Sequence, residues 1–79
     1  MWDGAFEWDD AKAARNLARH GVGFEAARAV FHDAFAIERA DRRADYGEPR
    51  FITIGMVNNR LPCVAYILRG EIIRIISAR

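Results

Sequence analysis

The stretch that most constrains the fold of this chain is residues 61–79. It is rich in β-branched and aromatic residues, begins beside Pro62 and is divided by Gly70. This composition and spacing are typical of a β-hairpin rather than of a helix. The sequence therefore predicts two antiparallel strands joined by a turn at residues 69–71, with the preceding part of the chain arranged to cover them.

Three arginines, Arg69, Arg74 and Arg79, recur in this otherwise apolar segment. Residues 49–79 hold five arginines against one acidic residue, whereas residues 1–48 hold ten acidic against seven basic residues. An arginine on a half-buried sheet needs an anionic partner or a route to water. Two interpretations stay open for Arg74, namely a phosphate-binding role and an ion pair with Glu7 or Glu71.

The amino-terminal half is predicted to form a short strand at residues 5–9 and then two helices. Asp9 is a helix amino cap, residues 11–19 are good helix formers, and Gly21 is a helix stop. Gly23 precedes a second helical pattern over residues 24–31. An alternating strand follows at residues 35–39, and residues 40–49 are predicted to form an exposed loop.

A strand at residues 50–57 and a tight turn at residues 58–60 lead into the closing hairpin. The predicted order is β-α-α-β-β-β-β in one domain, residues 1–79. This is an α+β fold with two helices packed on one face of a small antiparallel sheet. On the strand at residues 50–57, the more polar face, with Phe51, Thr53 and Gly55, is predicted to be the open one.

Most enzyme classes find no support in the sequence. There is no Ser-His-Asp order, no glycine-rich phosphate loop and no paired-carboxylate spacing. Cys63 and two histidines offer no zinc-site spacing, so neither a metal nor a cofactor is expected. No apolar run reaches the roughly 18 residues that a membrane helix requires. We therefore expect a cytoplasmic protein without a membrane partner.

Cleavage of RNA by its own 2′-hydroxyl group is the one reaction that the residues favour. It requires a base, an acid and fixed positive charge around the phosphorane. Arg69, Arg74 and Arg79 can supply the charge, and His20 is the group that can exchange a proton near neutral pH. The alternative for His20 is structural, because an imidazolium at a helix carboxyl terminus complements the helix dipole.

Two further features can bind RNA, and each has a structural alternative. Tyr66 can stack on a base, although a tyrosine within a strand is commonly a core residue. Lys12, Arg15 and Arg19 form one stripe on the first helix, which is either a solvated face or a surface for a polyanion.

Four strings in this order are similar to those of the BrnT toxin family, and the resemblance extends over nearly the whole chain. They are FEWD at residues 6–9, RHGV at 19–22, GEPRFI at 47–52 and IRIISAR at 73–79. The resemblance implies a RelE-like fold and a ribonuclease toxin of a type II toxin–antitoxin pair, which inhibits translation by cleaving RNA. The implied partner is a BrnA-like ribbon-helix-helix antitoxin, and promoter DNA is bound only through the complex.

The family's functional positions carry over to five residues of this sequence, with Lys12 and Glu7 as weaker candidates. The five are His20, Arg50, Arg69, Arg74 and Arg79. We therefore predict His20, Arg69, Arg74 and Arg79 as catalytic residues. Lys12, Arg50 and Tyr66 are the predicted substrate-binding residues.

The chain departs from the family pattern at three points. His32 stands where an acidic residue is common, and Gly23 stands where serine is common. Family members usually continue beyond the final string into a basic helix, whereas this sequence ends at Arg79. Weakened activity is one expectation, so a second function stays open: a non-catalytic toxin fold that only binds its antitoxin.

Overall fold

The structure is a computed structural model that describes residues 5–42 and 47–79. The described elements follow the predicted order β-α-α-β-β-β-β, which confirms the α+β fold class. They are β1 (Phe6–Glu7), α1 (Asp10–His20), α2 (Phe24–Ala27) with a 3-10 helix (Arg28–His32), β2 (Ile37–Asp41), β3 (Arg50–Ile54), β4 (Cys63–Arg69) and β5 (Ile72–Ala78).

The predicted loop at residues 40–49 is shorter than expected, because β2 continues to Asp41. The centre of that predicted loop, residues 43–46, lies outside the described residues. The second helix is also shorter than predicted. It leaves α-helical geometry after Ala27 and continues as a 3-10 helix to His32.

The five strands form one sheet in the order β1-β5-β4-β3-β2. The pairs from β5 to β2 are antiparallel, as predicted, but β1 runs parallel to β5 with Phe6 opposite Ile73. The sheet is therefore mixed rather than purely antiparallel. The reason is topological, since β1 joins the sheet from the far end of the chain and not through a hairpin turn.

Local turn chemistry shapes both hairpins. Asn58 and Asn59 have φ angles of 50° and 65°, and Val57 and Arg60 exchange backbone hydrogen bonds of 2.8 and 2.9 Å. Two left-handed residues between paired positions are the geometry of a type I′ turn. Gly70 has a φ of 60° between the paired residues Arg69 and Ile72. The predicted turns are thus confirmed.

The ends of α1 are fixed by the residues that the sequence indicates. The Asp9 carboxylate accepts hydrogen bonds from the backbone N–H groups of Lys12 and Ala11, which hold the pKa of Asp9 below its usual value. Gly21, with a φ of 71°, donates its N–H to the Leu17 carbonyl at 2.9 Å. His20 therefore lies at the carboxyl end of a well-terminated helix.

The helices cover the sheet face that we predicted to be open. Phe51 and Thr53 lie opposite Tyr66 and Val64, and these two β4 residues belong to the buried core together with α2 and the 3-10 helix. The prediction was wrong because both faces of β3 carry large apolar residues, so the polarity of this strand alone does not identify the covered face. Ile52, one residue along, lies on the face away from the helices.

Candidate active site

A cavity of about 540 Å³ opens between the connection of the two helices and the β3–β4 hairpin. We call it the His20 cleft. Its walls include three cationic or ionisable residues, His20, Arg60 and Arg79, together with Asn58. None of the described residues that line it is acidic. The cleft therefore offers an anion a concave site with hydrogen-bond donors on two sides.

Asn16 ties together the elements that form this cleft. Its side-chain Nδ2 donates to the Ala78 carbonyl at 2.8 Å and to the Val22 carbonyl at 2.9 Å. Its Oδ1 accepts the Ala78 N–H at 3.1 Å. The side chain is only 8% exposed. Val22 is two residues after His20, and Ala78 directly precedes Arg79. This one amide therefore positions the backbone close to His20 and to Arg79.

The amide of Asn16 takes the place of a missing strand. Among the described residues, β1 pairs with β5 only at Ile73 and Arg74. The outer edge of β5 at Ala78 would otherwise leave a backbone donor and acceptor without partners. On the inner edge, Arg79 and Cys63 exchange backbone hydrogen bonds of 2.9 and 2.8 Å. The backbone of Arg79 is consequently held by the β4–β5 ladder.

A second, smaller cavity of about 240 Å³ lies between α1 and the end of β5. We call it the helix groove. It shares His20 and Arg79 with the His20 cleft and is lined by the stripe of α1, Lys12, Arg15 and Arg19. The structure thus brings together three of the predicted site residues, His20, Arg79 and Lys12.

Arg69 and Arg74 do not join this group. Arg69 ends β4 at the turn, six residues from Cys63, and is therefore about 20 Å from the cleft end of that strand. Arg74 is five residues from Arg79 along β5, about 17 Å at strand spacing. The His20 cleft and the helix groove are thus lined by Arg79 but by neither Arg69 nor Arg74.

Arg74 forms an ion pair with Glu7 across the β1–β5 pair. Its Nη1 donates to Glu7 Oε2, and the two side chains are 29% and 34% exposed. This contact corresponds to the structural interpretation of Arg74. The catalytic role predicted for Arg74 therefore has to compete with a contact that already occupies its guanidinium group.

Tyr66 and Arg50, the remaining predicted binding residues, are also outside the cleft. Tyr66 is 1% exposed, and its ring lies 5.0 Å from that of Phe31 and 5.7 Å from that of Phe51, centroid to centroid. Its ring faces are therefore covered by the core rather than offered to a base. Arg50 begins β3 opposite the buried Asp41.

Sequence reasoning passed over Asn16, Asn58 and Arg60 as members of the site. Asn16 carried a usable signal, because asparagine is unfavourable inside a helix and lies here within a run of good helix formers. Asn58 was assigned only to a turn. Arg60 had no signal beyond its charge, since its position depends on how the β3–β4 hairpin meets the helix connection.

No helix in residues 5–42 and 47–79 is long and apolar enough to cross a membrane. In the same residues, no group of three or more His, Cys, Asp or Glu side chains is arranged to hold a metal ion.

Comparison with known proteins identifies one family. The sequence model of a family described as "ribonuclease toxin, BrnT, of type II toxin-antitoxin system" matches residues 8–79. The matched region contains both helices, β2 to β5 and every residue of the two cavities. No curated protein matches the chain.

Proposed function

We infer that this chain, which belongs to the BrnT family of ribonuclease toxins of type II toxin–antitoxin systems, binds and cleaves RNA in the His20 cleft without a metal ion. One observation carries the assignment: His20, Arg60 and Arg79 line the same cavity, and none of the described residues that line it is acidic. A phosphate diester is the anion that a ribonuclease must hold. Fixed guanidinium groups stabilise the charge that develops on it.

The proposed reaction uses the substrate's own nucleophile. The ribose 2′-oxygen attacks the adjacent phosphorus, and the bond from phosphorus to the 5′-oxygen of the next nucleotide breaks. The imidazole of His20 accepts the proton of the 2′-hydroxyl, and a water molecule delivers a proton to the departing 5′-oxygen. Arg60 and Arg79 neutralise the additional negative charge of the phosphorane. The products are a 2′,3′-cyclic phosphate and a 5′-hydroxyl end.

The reaction centre depends on the position of His20 relative to Arg79, and Asn16 supports both. Because Asn16 bonds to Val22 and Ala78, a shift of α1 along β5 would break its hydrogen bonds before His20 could leave the cleft. Lys12, at the far end of the helix groove, is proposed to contact RNA rather than to react with it. The roles predicted for Arg50, Arg69 and Arg74 remain predictions. They concern contacts with RNA farther from the His20 cleft.

A cleavage assay with two histidine variants tests the proposal. Purified protein is incubated with a labelled single-stranded RNA in EDTA, and the product ends are identified. We expect cyclic phosphate and 5′-hydroxyl ends from the unaltered chain. His20→Ala should lower the rate about 100-fold or more, as loss of a general base does. His32→Ala is the matched control, since His32 is an exposed histidine that lines neither cavity.

Three results would reject the proposal. A requirement for added Mg²⁺ would rule out metal-independent cleavage. Equal rates for His20→Ala and His32→Ala would rule out the His20 cleft. If the unaltered chain binds an antitoxin tightly but leaves RNA intact, the chain is a binding module instead.

The family description implies an antitoxin partner. We propose that this partner is a BrnA-like ribbon-helix-helix protein, that promoter DNA is bound only by the complex, and that cleavage of mRNA in the cytoplasm inhibits translation. Induction of the chain with and without the neighbouring reading frame tests this. Growth arrest and loss of protein synthesis should occur only without the partner, and His20→Ala should prevent both.

A further inference from the structure

We propose that the helix groove is the track along which single-stranded RNA leaves the His20 cleft, with Lys12, Arg15 and Arg19 holding its backbone phosphates. This inference rests on the proposed function, because it takes the cleft as the place where RNA is cleaved. It adds two residues, Arg15 and Arg19, to which the proposed reaction assigns no role. It also specifies an unpaired strand as the substrate class.

The two cavities meet at the residues of the proposed reaction. His20 and Arg79 line both, so the cleft and the groove meet around this pair. Lys12, Arg15 and Arg19 follow one another at i, i+3 and i+7 on α1, so their Cα atoms span about 10 Å. That length can span more than one backbone phosphate of a single strand.

The charge of the groove favours a polyanion. Arg15 and Arg19 are like charges one helical turn apart, and a bound phosphate would relieve their repulsion. The carboxylate of Asp9 caps the amino end of α1, where it accepts hydrogen bonds from the N–H groups of Ala11 and Lys12. It is also attracted to the charges of Lys12 and Arg15, so it offsets part of the positive charge at that end of the groove. The carbonyl end of α1 carries partial negative charge. Arg19, in the last turn, offsets it.

The lining of the two cavities distinguishes RNA from an acidic peptide. In the helix groove, Ile76 is the only large apolar side chain among the described lining residues, so an amphipathic segment would find little to pack against. The His20 cleft, in contrast, has apolar walls that include Val22, Leu61 and Pro62. A base can enter such a cleft only when it is unstacked and unpaired, as in single-stranded RNA.

The test measures binding separately from cleavage. A fluorescent single-stranded RNA with 2′-O-methyl groups throughout cannot be cleaved, because its 2′-oxygen is blocked. Its affinity is measured between low and moderate salt for the unaltered chain and for the double variant Arg15→Ala/Arg19→Ala. Loss of two phosphate contacts should reduce the salt dependence, the slope of log affinity against log salt, by about 1.4. Affinity at low salt should fall by a factor of ten or more.

Arg39→Ala/Arg42→Ala is the matched control. It removes the same charge from two exposed positions, Arg39 within β2 and Arg42 directly after it, on the opposite edge of the sheet. Because charges beyond about 10 Å are screened at 0.1 M salt, this variant should bind within about twofold of the unaltered chain. Thermal melting of both double variants verifies that each is folded.

Equal binding by the two double variants would overturn the groove assignment. So would a result in which Arg15→Ala/Arg19→Ala binds RNA normally but binds the antitoxin weakly, because the groove would then belong to a protein partner. Neither result depends on the reaction. Failure of the proposed function itself would appear separately, as undiminished cleavage of ordinary RNA by His20→Ala.

Discussion

At the scale of single residues, Asn16 is the side chain on which the candidate site depends most. It connects positions 62 residues apart in the chain through two hydrogen bonds to Ala78 and adds a third to Val22. All three involve backbone groups, so the amide acts as a short strand beside β5. The pattern of residues around Asn16 indicates only that it is unusual in a helix. Its partners follow from the tertiary fold.

Replacing Asn16 with leucine keeps the number and branching of the side-chain heavy atoms but leaves the backbone groups of Ala78 and Val22 without their partner. Each unsatisfied buried group costs about 1–3 kcal/mol, so Asn16→Leu should lower the free energy of unfolding by at least about 2 kcal/mol. Urea unfolding measures the change. Asn59→Gly, in an exposed turn with positive φ, is the control and should be close to neutral. Equal effects of the two variants would contradict the role of Asn16.

Asp33 should make the stability of the fold sensitive to acid. Its carboxylate accepts hydrogen bonds from the backbone N–H groups of Met56, at 2.7 Å, and Phe35, at 2.9 Å, and these lower the pKa of Asp33 below the usual 3.8. A carboxyl group with a lowered folded-state pKa stabilises the protein above its unfolded pKa, and that contribution disappears as pH falls through the folded value.

Thermal melting from pH 7 down to pH 2.5 tests this behaviour. Asp33→Asn should melt at a lower temperature than the unaltered chain at pH 7, and the difference should narrow below pH 4. Glu48→Gln, which neutralises an exposed carboxylate, is the control and should follow the unaltered curve. A constant difference between Asp33→Asn and the unaltered chain at all pH values would reject the prediction.

At the scale of elements, the close approach of the 3-10 helix to the chain directly after β3 depends on Gly55. A Cβ atom at this position would lie 3.1 Å from Val30 Cγ1 and 3.2 Å from Ala36 Cβ. Overpacking of this kind costs about 1–3 kcal/mol, so Gly55→Ala should lower the free energy of unfolding by that amount. Gly23 is the contrasting site, because nothing lies within 4 Å of its Cβ position. Gly23→Ser, at the α2 amino cap, should be neutral or slightly stabilising.

Elements whose limits depend on local chemistry are the ones that the sequence predicts well. Asp9 and Gly21 delimit α1, and the turns at Asn58 and Gly70 fix both hairpins. The covered face of β3 was predicted wrongly, because alternation shows which residues share a face but not where the helices pack. The parallel pairing of β1 with β5 was missed for a similar reason. It joins segments more than 60 residues apart.

At the scale of the whole molecule, the predicted basic residues divide into two regions. The His20 cleft and helix groove gather His20, Arg79 and Lys12, whereas Arg74 forms an ion pair with Glu7 nearer the other end of the sheet. The concentration of arginine in the closing hairpin was visible in the sequence, but its division was not. The spacing of Arg74 and Arg79 along β5 sets the distance between them. Which of the two lines the cavities depends on the position of α1 beside the end of β5.

The central claim, that RNA reacts in the His20 cleft, is tested most directly by the cleavage rates of Arg79→Ala and Arg74→Ala. The rates are measured in a single turnover at saturating protein and are compared with the melting temperature of each variant. If RNA reacts in the His20 cleft, Arg79→Ala should lose about 100-fold or more in rate at nearly unchanged stability. Arg74→Ala should melt earlier but cleave at close to the unaltered rate below its transition. The reverse pattern, with cleavage lost in Arg74→Ala and retained in Arg79→Ala, would contradict the claim and assign the reaction to the surface around Arg74.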